Sequence, residues 1–152
     1  MNSEIEKLRE GFPVWITVPV QWGDQDAFGH VNNTVYFRWF ESARIAYADG
    51  IRLSEGDAGK DVDPILAAIS CQYLRQLTYP DTVHVGARIS RIGRSSLTME
   101  HCLISEQWRA VAATGDSTLV AFDYAAQKSV SVPASVRARI EQLEGKRFEP
   151  PP

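Results

Sequence analysis

Apolar positions along the chain fall first into a β-type run, then into one helix of unusual apolarity, then into four further runs that alternate with a strand period. Val14-Trp-Ile-Thr-Val-Pro-Val-Gln-Trp22 is rich in β-branched and aromatic residues and predicts a strand. Pro19, which cannot donate to a ladder, predicts that this strand lies at an edge or carries a bulge. From Thr34 to Gly50 the period becomes helical: Tyr36, Phe40, Ala43 and Tyr47 share one line, with Trp39, Ala46 and Gly50 beside it. Val35, Phe37, Ile45 and Ala48 fill further sides, leaving only Thr34, Arg38, Glu41, Ser42, Arg44 and Asp49 polar. A helix apolar over so much of its circumference must be covered on several sides, and a sheet wrapped around it would do so.

After the helix, 51–64 is rich in Gly, Asp and Ser and predicts a loop bordering a pocket. Ile65–Leu77 predicts a strand, closed by the turn residues Tyr79-Pro80-Asp81. Val83, Val85, Ala87 and Ile89 then alternate with His84, Gly86, Arg88 and Ser90, the pattern of a half-buried antiparallel strand. Gly93 makes the next turn, Leu97, Met99 and Leu103 mark the next strand, and Trp108–Asp123 marks another, with a bend expected near Gly115. A short strand near Val130 and a helix over Val136–Leu143, opened by Pro133 and followed by Gly145, complete the pattern. Residues 1–12 are read as a polar turn or frayed end that buries nothing, and the Pro-rich terminus as disordered. One long early helix followed by antiparallel strands is an α+β arrangement.

The length of 152 residues fits one domain, able to bury roughly two thirds of its unfolded surface without staples. Its core is expected over about 14–144. A net charge of −3 with scattered basic residues argues against a nucleic-acid footprint. No run reaches the roughly 18 apolar residues of a membrane span, and the charged start lacks a signal-peptide core, so the expectation is a cytoplasmic protein with no membrane partner. Cys71 and Cys102 fall on different strands without metal-ligand spacing and are read as free thiols. His84 and His101 lack ligand partners at helical or hairpin spacing, so no metal is expected.

Candidate chemistry concentrates at the entrance of the long helix. Asn32 and Asn33 are good N-caps, and the first-turn N–H groups beyond them have no intrahelical acceptor, so this end favours a developing oxyanion. Asp24 and Asp26 stand just upstream in a Gly-flanked turn, with His30 between turn and helix. Asp24 is read as a hydrogen-bonding turn residue and His30 equally as a site residue or a packed histidine.

The run Asp26-Ala-Phe-Gly-His30-Val-Asn-Asn33, with Tyr36 and Glu41-Ser-Ala-Arg44, resembles the 4-hydroxybenzoyl-CoA thioesterase family of hot-dog-fold acyl-CoA thioesterases. Tyr73-Leu-Arg-Gln-Leu-Thr-Tyr-Pro-Asp81 and Arg91-Ile-Gly-Arg-Ser-Ser96 are similar to later segments of that family. The resemblance implies an antiparallel sheet curled around one helix, paired into a homodimer or a homotetramer built as a dimer of dimers, with sites at the subunit boundary. It implies hydrolysis of acyl-CoA to a free acid and coenzyme A without a cofactor. Asp26 would act as general base or nucleophile and the N–H near Asn33 would polarise the thioester, with His30 as a third catalytic candidate. Asn32, Tyr36, Arg91, Arg94, Ser95 and Ser96 become candidates for holding substrate and coenzyme A, though Tyr36, like Phe37 and Trp39, also reads as plain core. A hot-dog hydratase is the alternative, but Asp26 and His30 are separated by Ala-Phe-Gly rather than the hydratase Asp-x-Asn-Pro-x-His spacing. A non-catalytic coenzyme A-binding module is the other alternative, and the intact Asp26 argues against it.

Overall fold

The computed structural model describes residues 2–52 and 62–150. In chain order they form α1 (Ser3–Leu8), β1 (Val14–Pro19), a 3-10 turn (Trp22–Asp24), α2 (Asn33–Gly50), β2 (Val62–Tyr73), β3 (Thr82–Ile92), β4 (Ser96–Ser105), β5 (Ala110–Asp123), β6 (Lys128–Ser129) and α3 (Ala134–Glu144). The strands make one antiparallel sheet in the order β1-β3-β4-β5-β2, with β6 extending β5. β1 is an edge strand ending at Pro19, as the proline predicts, and β2 is the opposite edge. Most of the predicted 51–64 loop lies outside the described residues, and its last three positions belong to β2.

α2 lies on the inner face of this curled sheet, with Val35, Tyr36, Trp39, Phe40, Ala43 and Tyr47 buried against it. Helix and sheet approach closely at Phe40, whose ring stacks on buried His101 of β4 at 4.7 Å and 9°. A Cβ on Gly115 would fall 2.6 Å from that ring and 2.5 Å from the Ser70 carbonyl, so only glycine lets helix and strand meet here. The expected irregularity at Gly115 is therefore displaced. Gly115 pairs in register with both Cys71 and His101, and the extra residue of β5 is Ala112. A missing side chain, rather than a bulge, is what interrupts the alternation at 115.

A polar chain runs beneath the stack. His101 Nδ1 faces the Gly86 carbonyl at 3.3 Å and must carry the proton, so its Nε2 accepts from the Ser117 hydroxyl at 2.8 Å. Ser117 Oγ in turn accepts from the Arg44 guanidinium at 3.3 Å. Burial, with Arg44 adding to it, pushes the His101 pKa down to about 4.

One expectation is corrected. The N-terminal segment does bury surface: Ile5 of α1 is 2% exposed and packs with Cys102 and Ile104 against Leu8, Phe12 and Trp15 on the outer face of the sheet. Ile5 can be buried from so charged a segment because Leu8, Phe12 and Trp15 complete its pocket. The helix is covered on several sides, as its pattern predicts, with Ile45 left 55% exposed on the remaining one. The terminus is ordered at least to Phe148, which packs against the core.

The neutral, buried His101 sets an acid limit on stability. Its pKa is lower folded than unfolded, so the unfolded chain binds more protons between about pH 6.5 and 4 and stability falls as pH drops through that window. The loss attributable to this residue approaches about 3 kcal/mol at 1.36 kcal/mol per unit. Urea unfolding of the parent and His101→Gln from pH 7 to 4.5 checks this. The variant should be less stable at pH 7 but show the shallower decline.

Candidate active site

The chain enters α2 through a tightly tied turn. Asp26 N–H donates to the His30 carbonyl at 2.9 Å, Gly29 N–H donates to the Asp26 carbonyl at 3.0 Å, and Gly29 takes φ +82°, which favours glycine. Val31 N–H donates to the Leu77 carbonyl at 2.8 Å, fastening the turn to the segment between β2 and β3. Asn32 is the N-cap, its Oδ1 accepting from Thr34 N–H at 3.0 Å and the Thr34 hydroxyl at 2.7 Å. Asn33, the first helical residue, is exposed, and its N–H has no acceptor among the described residues. That leaves one helix-terminal donor facing outward.

The two aspartates stand in different environments. Asp24 is buried; its carboxylate accepts from Gln21 N–H at 2.8 Å and from the Arg38 guanidinium at 2.9 Å, while its carbonyl accepts from Asn32 N–H at 3.0 Å. It ties strand exit, turn and helix into one piece. Asp26 is exposed: Oδ1 accepts from Phe28 N–H at 2.9 Å, and Oδ2 has no partner among the described residues. Phe28 and Trp22 stand beside it largely uncovered, at 87% and 75% exposure.

His30, Val31, Asn33 and Tyr36 line a cleft of about 220 Å³ with Tyr73, Leu74, Arg75, Gln76 and Leu77. Asp26 lies at its edge rather than in its wall, joined to it through the His30 carbonyl. Tyr36 is buried and packs edge-on to Tyr73 at 4.9 Å, and burial pushes its pKa up to about 12, so its phenol stays protonated. The Tyr73 hydroxyl donates to the Asn33 carbonyl at 3.2 Å. Tyr73, Arg75 and Gln76 were legible only as strand-end residues, because nothing in a strand pattern says which end meets the helix entrance.

The remaining candidates are elsewhere. Gly93 O accepts from Arg137 of α3 at 3.5 Å, and Arg139 of the same helix holds the carbonyls of Ile51 and Arg52 at the C-terminus of α2. Arg91, Arg94, Ser95 and Ser96 thus sit at the opposite end of α2, a helix roughly 27 Å long at 1.5 Å per residue. Arg94 donates to Ser131 Oγ at 3.4 Å, and the Ser95 and Ser96 carbonyls accept from Ala121 and Gly93 N–H. One chain does not bring these residues to Asp26.

An antiparallel sheet curled on one helix is the hot-dog fold, and the chain is a thioester hydrolase of that fold. The chain belongs to the Thioesterase-like superfamily, whose model matches residues 20–140. It is 37% identical to a thioesterase from Thermus thermophilus crystallised with coenzyme A and zinc, over 91% of this chain and 99% of that one, with TM-score 0.79. It is 35% identical to the PA2801 protein of Pseudomonas aeruginosa, over 85% and 98%, with TM-score 0.75. Among curated proteins it is 29% identical to YsmA of Bacillus subtilis over 66% of this chain and 67% of that one. No group of three or more His, Cys, Asp or Glu that could hold a metal occurs among the described residues, and no described helix is long and apolar enough to cross a membrane.

Asp24→Asn separates tying from chemistry. It keeps the side chain's size but removes the charge facing Arg38, whose own exposure screens the pair. Unfolding should become easier by roughly 1–2 kcal/mol, read as a lower urea midpoint, while turnover per folded molecule falls only modestly.

Proposed function

We propose that this chain hydrolyses acyl-CoA thioesters as a relative of the 4-hydroxybenzoyl-CoA thioesterases, with Asp26 as the catalytic carboxylate. The observation that carries this is the division of labour between the two aspartates. Asp24 spends its carboxylate on two structural donors, whereas Asp26 keeps an oxygen unpartnered beside a helix end whose Asn33 N–H is also unpartnered. The coenzyme A complex of the Thermus relative supports the choice of thiol carrier.

Hydrolysis places a negative charge on the thioester oxygen, and the Asn33 N–H, reinforced by the helix terminus, stabilises it. Asp26 removes a proton from the attacking water, or attacks the carbonyl itself to form an anhydride that water then opens. The leaving thiolate, with a conjugate-acid pKa near ~8.5, departs with little protonation. A neutral Tyr36 phenol leaves the cleft without a competing anion.

The site is shared between two copies on this reading. β2 is a 12-residue edge strand with Ile65 and Leu66 both about two-fifths exposed, a surface that invites strand pairing. Its Tyr73 end meets the N-terminus of α2, and its Pro64 end meets Ala48 and Ile51 near the C-terminus. Antiparallel pairing of two β2 strands about a two-fold axis sets the helix entrance of one copy toward the Arg94–Ser96 end of the other. The coenzyme A candidates and the catalytic candidates are thereby reunited. Light scattering should give a dimer or tetramer at micromolar concentration, and a monomer retaining full activity would remove the shared site.

Asp26→Asn is the direct test of the chemistry. It removes the charge required by either mechanism while preserving shape and the Phe28 hydrogen bond. With an acyl-CoA that the parent turns over, kcat and kcat/KM should fall together by roughly 10²–10⁴, with KM little changed and the melting curve preserved. Near-parent turnover by the folded variant would place the catalytic group elsewhere.

A further inference from the structure

The cleft beside the entrance of α2 holds an arginine whose hydrogen-bonding capacity the fold does not exhaust. Arg75 lies just past the end of β2, where the N–H groups of Leu74 and Arg75 both donate to the Ala112 carbonyl, at 2.8 and 3.0 Å. Ala112 is the extra residue of β5, so the chain leaving β2 is tied down by the bulge. The Arg75 guanidinium donates to the Val111 carbonyl at 2.6 Å and lies over the Trp108 ring at 6.0 Å. Trp108 is itself held there, its indole N–H donating to the Gln76 carbonyl at 2.7 Å. A planar group fixed by a carbonyl and a ring presents its remaining donors already oriented, with less side-chain freedom left to lose on binding.

Those remaining donors have no acceptor, and the guanidinium no ion-pair partner, among the described residues. Arg75 is also the one permanently charged side chain of the cleft wall, and no carboxylate among the described residues lines it. The walls are joined close by, since the Tyr73 hydroxyl, two residues before Arg75, donates to the Asn33 carbonyl. At about 220 Å³ the cleft is smaller than the roughly 300–1,000 Å³ pockets that enclose a whole ligand, so it takes one part of a substrate. The coenzyme A candidates Arg91–Ser96 lie at the far end of α2, which leaves this part as the acyl group. Tyr36, Tyr73, Leu74 and Leu77 offer that group an apolar and aromatic surface. A plain alkyl chain would displace water from the Arg75 donors and return no acceptor, whereas a carboxylate matches the guanidinium fork. An anionic end is also repelled by Asp26 at the edge of the cleft and attracted by Arg75 in its wall, which turns the thioester toward Asp26.

We propose that Arg75 determines acyl specificity, and that the substrates are thioesters of short acyl chains ending in a carboxylate. That the ligand is a thioester rests on the thioesterase reading; the carboxylate subsite rests on Arg75 and its cleft.

The ratio of kcat/KM for glutaryl-CoA to that for valeryl-CoA, measured in the parent, Arg75→Ala and Arg75→Lys, tests the subsite. Both substrates share the carrier and the chain length, so the ratio is blind to any contact of Arg75 with coenzyme A and to the fraction of enzyme folded. The parent should favour glutaryl-CoA, and the ratio should fall about tenfold in Arg75→Ala. Arg75→Lys, which keeps the charge but loses the fork, should lie between, and added salt should shrink the parent's preference. A parent that favours valeryl-CoA, or a ratio unmoved in Arg75→Ala, overturns the proposal. Should Arg75→Ala not fold, the lysine variant decides, and an unmoved ratio there overturns it equally. Hydrolysis of valeryl-CoA without the glutaryl preference leaves the thioesterase reading standing and removes the carboxylate subsite alone. Should the parent hydrolyse neither thioester, the thioesterase reading fails and calorimetric titration of glutarate and of valerate decides the subsite. Tighter binding of glutarate that is lost in Arg75→Ala supports it, and equal binding of the two acids, or none, overturns it.

Discussion

The contact that lets this sheet close on its helix is the meeting of Phe40, His101 and Gly115. A helix with apolar residues on most of its sides gains burial only if strands approach it closely, and the approach here is limited by one Cβ position. With hydrogen at Gly115, Phe40 reaches the strand and stacks on His101; with a methyl group, ring and Ser70 carbonyl would both be displaced. His101 can occupy the dry interior because it is neutral and both ring nitrogens are used, which in turn requires Ser117 and, behind it, Arg44. The Arg44 of the Glu-Ser-Ala-Arg run thus anchors the body of the helix to β5, far from the exposed turn.

The same helix is held differently at its entrance. There the ties are polar and lie on one side: Asp24 gathers Gln21, Asn32 and Arg38, while Asn32 caps the first turn. Asp24 anchors the turn from one side while Asp26 stays exposed on the other. Two carboxylates two residues apart differ in environment because one faces back toward the helix and the other faces out.

Much of this was legible before any coordinates. Strand periods at Val83–Ile89 and Leu97–Leu103 and the helical period from Tyr36 to Tyr47 report burial, and burial decides which elements form. Pro19 and Pro133 spoke through their missing N–H, and each sits at the end of an element. The seat of Ile5 was not legible, because its pocket is built from Phe12, Trp15, Cys102 and Ile104, and no local pattern links those positions. Nor was the bulge at Ala112, since the signal at Gly115 came from a close approach by a residue seventy-five positions away. At the site, turn chemistry marked Asp24, Asp26 and the asparagines, whereas the cleft walls Tyr73, Arg75 and Gln76 come from a strand whose meeting with the helix is a property of topology.

The placement of Arg91–Ser96 at the far end of α2 constrains any account that gives those residues a part in the reaction at Asp26. A helix of this length cannot bend its two ends together, and the sheet that covers it is pinned at both: to Val31 through Leu77 at one end, and to α3 through Gly93 at the other. Hinge motion within one chain would have to break those ties along with the Glu144 contacts to Tyr47 and to Ile89 N–H. Pairing two rigid copies through β2 breaks none of them. It also covers apolar side chains that a single chain leaves in water, Ile65 and Leu66 on the strand. On the proposed reading, then, the exposed strand edge and the divided site are two consequences of one arrangement. A fold that buries its helix against one sheet has only that helix's open end and the sheet's open edge with which to build a site, and two-fold pairing of the edge uses both.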